Sequence, residues 1–230
     1  MAVFVHSHAG MAASMLKFAT VEPTALARAY EETLTEVCRR IDCEILFVPL
    51  PAKRALKMSG AGQFDGFIAC VPDVVKMYPG LALINVPIVE LHFVAFSKLD
   101  FPPMSKFSDL KPYTVGHRRG MQAAAAASRG LNTFVYDRKD QGMKLLVHGR
   151  IDVLIDIRRA IMPMLKTTYK KSGIREIPGP ILSHPTYHCI NKMHRPLIAE
   201  FEAGLREMKS QGAIDRIFKA MLANFDRPVK

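Results

Sequence analysis

The apolar positions of the chain fall into two alternating kinds of segment. Leu26, Tyr30, Leu34, Val37, Cys38 and Ile41 recur at helical spacing and predict an amphipathic helix with one buried stripe. Lys17–Thr20 before it reads as a strand. Glu44–Val48 after it is a continuous apolar run, the kind that a parallel sheet buries on both faces. Pro49 and Pro51 then mark a loop, Ala52–Met58 a short helix ended by Gly60 and Gly62, and Phe67–Cys70 the next strand. This β-α-β-α-β order predicts a parallel sheet with right-handed crossovers.

A second series repeats the first. Leu110–Gly116 reads as a strand, an alanine-rich helix starts at Met121, and Thr133–Tyr136 is a strand. Gln141–Val147 is a helix, Val153–Asp156 a strand, and a helix runs from about Arg159 to Tyr169. The strand–helix–turn–strand phrase of Leu50–Cys70 thus recurs near Gln141–Asp156. Between the two series lie Leu81–Pro87, the long apolar run Ile88–Ser97 and the turn-rich break Asp100-Phe-Pro-Pro-Met-Ser-Lys106. Ile181–Asn191 is a second extended segment, the natural return crossing. The end is helical, with stripes Leu197, Phe201, Leu205, Met208 and then Ile214, Ile217, Phe218, Met221, Leu222, Phe225, and Gly212 between them. The expected fold class is α/β, with two lobes, each a βαβ-type sheet flanked by helices, and two strands as hinge. Residues 15–95 and 188–230 form the first lobe and 96–187 the second.

Composition narrows the choice little. With 230 residues, 49% hydrophobic and 23% charged, the chain is an ordinary globular sequence. Its net charge of +11 and pI near 9.6 are less ordinary. A basic excess suits nucleic acid, an anionic membrane surface or small anionic ligands, or serves solubility alone. Here the Lys and Arg residues are spread along polar helix faces, without a dense basic tail and without Trp, which argues against a nucleic-acid binder. No apolar run reaches the roughly 18 residues of a membrane span. Residues 1–14 are small and apolar, with Gly10 and Ala12 placed as at a signal-peptidase site. They read as the remnant of a secretory signal or as a tag.

Cys38, Cys43, Cys70 and Cys189 contain no C-x-x-C pair and no zinc-like spacing with His, so no structural metal is expected. Cys38 and Cys43 are close enough in sequence to bridge in an oxidising compartment. Three full pairings are possible, and buried free thiols are the alternative.

Candidate chemistry gathers at the predicted strand ends, where an open α/β sheet binds ligands. The loop Gly116-His-Arg-Arg-Gly120 combines a helix start with Arg118 and Arg119, a pairing that suits a carboxylate or phosphate. It does not match a nucleotide P-loop. Asp156 ends its strand, where it suits a ligand amine or an ion pair with Arg158 or Arg159. Glu22 occupies the first strand–helix loop. Glu90 and His92 alternate on the first crossing segment, and Tyr187 and His188 sit on the second. Arg54, Cys70 and Asp137 complete the candidate ligand contacts. Neither G-x-S-x-G, nor H-E-x-x-H, nor G-x-G-x-x-G after a strand occurs, so no enzyme, catalytic residue or cofactor is expected.

Taken in order, Phe18-Ala-Thr-Val-Glu22, Leu50-Pro-Ala-Lys-Arg-Ala-Leu56, Gly62-Gln-Phe-Asp-Gly66, Tyr78-Pro79, Asn85-Val-Pro-Ile88, Asp109–Gly116 and Leu145–Asp152 form a recognisable pattern. It resembles the bacterial extracellular solute-binding proteins of family 3, which have the type II periplasmic-binding-protein fold. The resemblance implies a venus-flytrap that closes on a small polar solute, amino-acid-like or anionic, and hands it to an ABC transporter permease. It implies a periplasmic binder acting as a monomer, without nucleic acid. Amino-acid binders of the family hold the α-carboxylate with an arginine after the third strand of lobe one. This chain reads Cys70-Val-Pro-Asp-Val-Val-Lys76 there, with no arginine. The family's amine-binding aspartate follows the Gly-Arg-Ile-Asp motif, and Asp156 falls one residue short of that spacing. A ligand-sensing module of a signalling system, or an enzyme on the same fold, are the alternatives.

Overall fold

In the computed structural model, which describes residues 15–119 and 121–224, strand and helix alternate from the start. The suspected signal segment 1–14 lies outside the described residues. β1 (Met15–Thr20) leads to α1 (Ala25–Arg40), β2 (Glu44–Pro49), α2 (Ala52–Gly60), β3 (Gly66–Cys70), α3 (Pro72–Met77) and β4 (Leu81–Leu83). β5 (Val89–Ser97) crosses to a second series of β6 (Thr114–Arg118), α4 (Gln122–Ala127), β7 (Asn132–Tyr136), α5 (Lys139–Val147), β8 (Val153–Ile157) and α6 (Arg158–Lys166). The short β9 (Arg175–Glu176) precedes the return strand β10 (Leu182–Asn191), followed by α7 (Ile198–Ser210) and α8 (Ala213–Asn224).

Local chemistry explains the first helix well. Thr24 caps α1 by accepting the Ala27 N–H at 3.0 Å, and Arg39 and Arg40 complement the negative C-terminal end of the dipole. Of the stripe that the spacing predicts, Tyr30, Leu34, Val37 and Cys38 are buried, together with Ala27, while Leu26 and Ile41 are half-buried and Ile41 caps the helix end. A disulfide joins Cys38 to Cys43 across the turn into β2. A second joins Cys70 at the end of β3 to Cys189 in β10, with the Cα atoms 5.9 Å apart. Gly66 is needed where β3 passes β10, because a Cβ there would strike the Cys189 carbonyl and the Phe18 ring.

The strands form one curled sheet in the order β2-β1-β3-β10-β5-β8-β6-β7. β1, β2 and β3 pair in parallel, as do β6, β7 and β8, giving two parallel groups. β10 divides itself between them: Leu182–Thr186 pair with β5, and Tyr187–Asn191 with β3 and β4. β5 and β10 are therefore the strands that join the halves, antiparallel to each other. One apolar core runs from the first half past these strands, and a smaller one, around Phe96, Tyr136, Met143 and Ile161, fills the far face of the second half.

Two local expectations change, and two further elements are ones that the pattern does not announce. The strand expected at Leu110–Gly116 runs over Thr114–Arg118 instead, because β6 keeps its pairing with β7 as far as Arg118 and Tyr136. Leu110, itself buried, instead ends a 3-10 turn. Pro72 opens a six-residue helix that the apolar pattern does not announce, since so short a segment shows no stripe. Of Leu81–Pro87 only Leu81–Leu83 pairs, with β10. α6 ends at Lys166 rather than near Tyr169.

Candidate ligand-binding site

The carboxyl ends of β1 and β3 in one half, and of β6, β7 and β8 in the other, carry the charged residues of interest. Charges of the two halves act on one another. Arg138, two residues past β7, is held above its ordinary pKa first by the Asp140 hydrogen bond, and Glu22, past β1, adds to this across the gap. Asp73, in the first turn of α3, is lowered chiefly by Lys76 and secondarily by His184 of β10. Tyr30 in α1 is raised by burial, while its bond to Thr186 and the charge of Arg159 on α6 act the other way.

The strand register sorts the expected site residues by face. Cys70 lies opposite Tyr187, Glu90 opposite Pro185, His92 opposite Ser183, and Val94 opposite Asp156. Directly opposed residues share a face, so these lie on one side of the curled sheet. Arg118 and Tyr136, paired on β6 and β7, belong to that side too, one residue beyond the His117–Ile155 pair. On the crossing strands this face is the open one: Glu90 and Ser183 are exposed, and His92, Pro185 and Tyr187 are half-buried. The opposite face, with Val89, Leu91, Thr186 and His188, is closed by Tyr30, which packs edge-on against His188 and Phe218.

Several of the expected side chains are already engaged. Asp156 is fully buried; its Oδ1 accepts the Ile157 N–H at 2.7 Å and its Oδ2 accepts the Tyr136 hydroxyl at 3.4 Å. Burial raises the Tyr136 phenol above its usual range and the Asp156 charge adds to this, while Arg118 opposes it. Arg158 pairs with Glu176, not with Asp156. Arg119 pairs with Asp137 at 2.7 Å, both about two-thirds exposed. Cys70 is 2% exposed and its sulfur is held in the disulfide. His92 Nδ1 lies 2.8 Å from the Ser183 hydroxyl. Arg54 is exposed at the start of α2.

Arg118 is different. It is half-buried at the strand end, its Nε donates only to the Met121 sulfur at 3.4 Å, and no carboxylate pairs with it among the described residues. His117 and Arg118 extend the strand beyond Gly116, where the sequence pattern ends it, so the guanidinium is presented by a rigid element.

Sequence reasoning passes over Asp73 and Arg138, names Arg159 only as a partner for Asp156, and passes over His184. The first three lie within three residues of a strand end, a signal that the pattern offers. For His184 the pattern offers none, because only the pairing of β10 with β5 fixes which face it takes. Among the described residues no cluster of His, Cys, Asp and Glu is arranged to hold a metal ion, and no helix is long and apolar enough to cross a membrane.

No family model matches the chain, and no curated protein matches it by sequence. Solved structures do match by fold. An ancestral arginine-binding protein bound to arginine aligns over 92% of this chain and 99% of its own, with a TM-score of 0.74 at 16% identity. The GluR0 ligand-binding core in complex with L-glutamate aligns over 93% and 99%, with a TM-score of 0.77 at 12% identity. The amino-acid ABC transporter substrate-binding protein AbpA from Streptococcus pneumoniae, bound to L-arginine, aligns over 93% and 97%, with a TM-score of 0.73 at 12% identity. At such identities the likeness establishes the fold. It is the two-lobed α/β fold of periplasmic binding proteins.

Proposed function

We propose that the chain is a non-catalytic solute-binding protein that captures a small polar solute between its halves and delivers it to an ABC importer. The supporting observation is the connection, among the described residues, of two parallel-sheet halves by β5 and β10, with Glu22 past β1 near enough for its charge to act on Arg138 past β7. Such a connection permits hinge closure. We assign residues 15–95 and 188–230 to one lobe, 96–187 to the other, and a periplasmic or extracellular location, which the two disulfides favour.

Arg118 is the proposed anchor for an acidic group, since a half-buried guanidinium without a counter-ion among the described residues suits a bidentate carboxylate or phosphate. Thermal-shift titration with amino acids, organic acids, polyamines and small phosphates tests both points. One class is expected to raise the melting temperature saturably and to lower the radius of gyration in solution scattering. If that ligand is acidic, Arg118→Ala removes most of the shift, about tenfold or more in affinity. A protein that no class stabilises or compacts is not a solute binder. A ligand-sensing role is the second reading, favoured by the likeness to the GluR0 core. It shares the binding step and differs only in the partner recovered on cross-linking.

A further inference from the structure

Between α6 and α8, one helix from each half, runs a groove of about 610 Å³ that none of the expected site residues lines. Arg159, Met162 and Lys166 form one wall, and Asp215, Lys219 and Leu222 the other. Three cations thus face one carboxylate. Among the described residues no ion pair joins any of these four charged groups. Arg159 is half-buried, and its charge is felt by the buried Tyr30. Removing a guanidinium from water without a counter-ion is unfavourable, so this position favours an anion. Met162 and Leu222 favour an apolar body, and the flexible thioether adapts to its shape. The volume lies in the range of about 300–1,000 Å³ that small-molecule sites occupy.

We propose that this groove is a second site, separate from the strand-end site, for a medium-chain organic carboxylate. The carboxylate sits on Arg159 and Lys219, and the chain lies along Met162 and Leu222. A bare inorganic anion would leave the apolar wall wet. A neutral lipid would leave the cations unpaired. Because the walls belong to different halves, an occupant bridges them and favours one hinge angle over others.

The test uses the full chain labelled at its methionine methyl groups, with the Met162 signal assigned through Met162→Leu. Octanoate is titrated beside acetate, which has charge alone, and octyl glucoside, which has the chain alone. Octanoate is expected to move the Met162 signal saturably while neither control does so at the same concentration. Arg159→Gln and Lys219→Glu are each expected to weaken it about tenfold. Lys219 is exposed, so its variant folds even if the Arg159 variant does not. An equal response to acetate means an adventitious ion only. An equal response to octyl glucoside means unspecific apolar contact. Either result overturns the proposal, as does an octanoate affinity that both substitutions leave unchanged, or no response at all.

Discussion

The two halves share a layout but are secured by different means. Both disulfides lie on the side of β1, β2 and β3, where they tie α1 to β2 and β3 to β10. The second half has no covalent tie. Its strand ends carry instead the ion pairs Arg119–Asp137, Arg138–Asp140 and Arg158–Glu176. The first two are exposed and contribute little, whereas a long disulfide loop restricts the unfolded chain strongly. The contrast therefore makes the first half the rigid platform and the second the half whose local opening costs less.

Deleting the ties is the harshest way to break that contrast. The Cys70–Cys189 bridge closes a separation of 119 residues, and the Cys38–Cys43 bridge one of 5. Loop-entropy reasoning gives losses of about 4–5 kcal/mol for the paired Cys70→Ala and Cys189→Ala variant, against about 2 kcal/mol for the short bridge. Urea unfolding under oxidising conditions measures both. Similar losses for the two would mean that the long bridge does not govern the first half.

The next effect is a pH dependence lodged in the same half. His188 is wholly buried, its Nδ1 lies 2.5 Å from the Ile68 carbonyl oxygen, and its Nε2 has no partner among the described residues. Burial lowers its pKa from the usual 6.5 to about 4, despite that backbone contact. The unfolded chain therefore takes up a proton that the folded one refuses. Stability is fully present above about pH 6.5 and is lost as the pH falls toward 4, by about 3 kcal/mol in all. A His188→Gln variant should flatten this part of the pH profile. If the slope between pH 6.5 and 4 survives that change, other groups cause it.

How much of this contrast the sequence discloses depends on how local its causes are. The α1 stripe, the Leu50–Cys70 phrase and the return strand near Ile181–Asn191 are legible because their periods lie within a few turns of chain. The long disulfide is not, since only the placement of β3 beside β10 brings Cys70 and Cys189 together. Arg118 is legible as a charge near a strand end, but its strand position follows from pairing with β7, a non-local fact. Glu90 and His92 do share a face, as alternation requires. Which face stays open is decided by Tyr30 and Phe218, which cover the other one.

A smaller effect probes how the platform grips the hinge. The Tyr30 hydroxyl lies 2.5 Å from the Thr186 hydroxyl, which donates to the Val89 carbonyl at 2.8 Å, so α1 is bonded to the pair of crossing strands. Tyr30→Phe removes one buried hydrogen bond and leaves Thr186 its backbone acceptor. A loss of about 1 kcal/mol is expected, together with faster hydrogen exchange at β5 and β10. A loss near that of the long disulfide would show that this contact, and not the covalent tie, holds the platform to the hinge.

The smallest effect tests the other side of the contrast. Arg119 and Asp137 meet at 2.7 Å but are both about two-thirds exposed, so water and salt screen their attraction. Asp137→Asn should change unfolding free energy by no more than about 0.5 kcal/mol, and that small change should vanish at high ionic strength. Freed of Asp137, Arg119 has a second use, because it becomes available to a ligand beside Arg118. If the substitution strengthens binding of an acidic ligand while stability stays put, the pairs at these strand ends act on ligand selection rather than on folding. If instead stability falls by more than about 1 kcal/mol, the second half depends on its ion pairs far more than their exposure allows, and the division between a covalently tied half and a weakly held one fails.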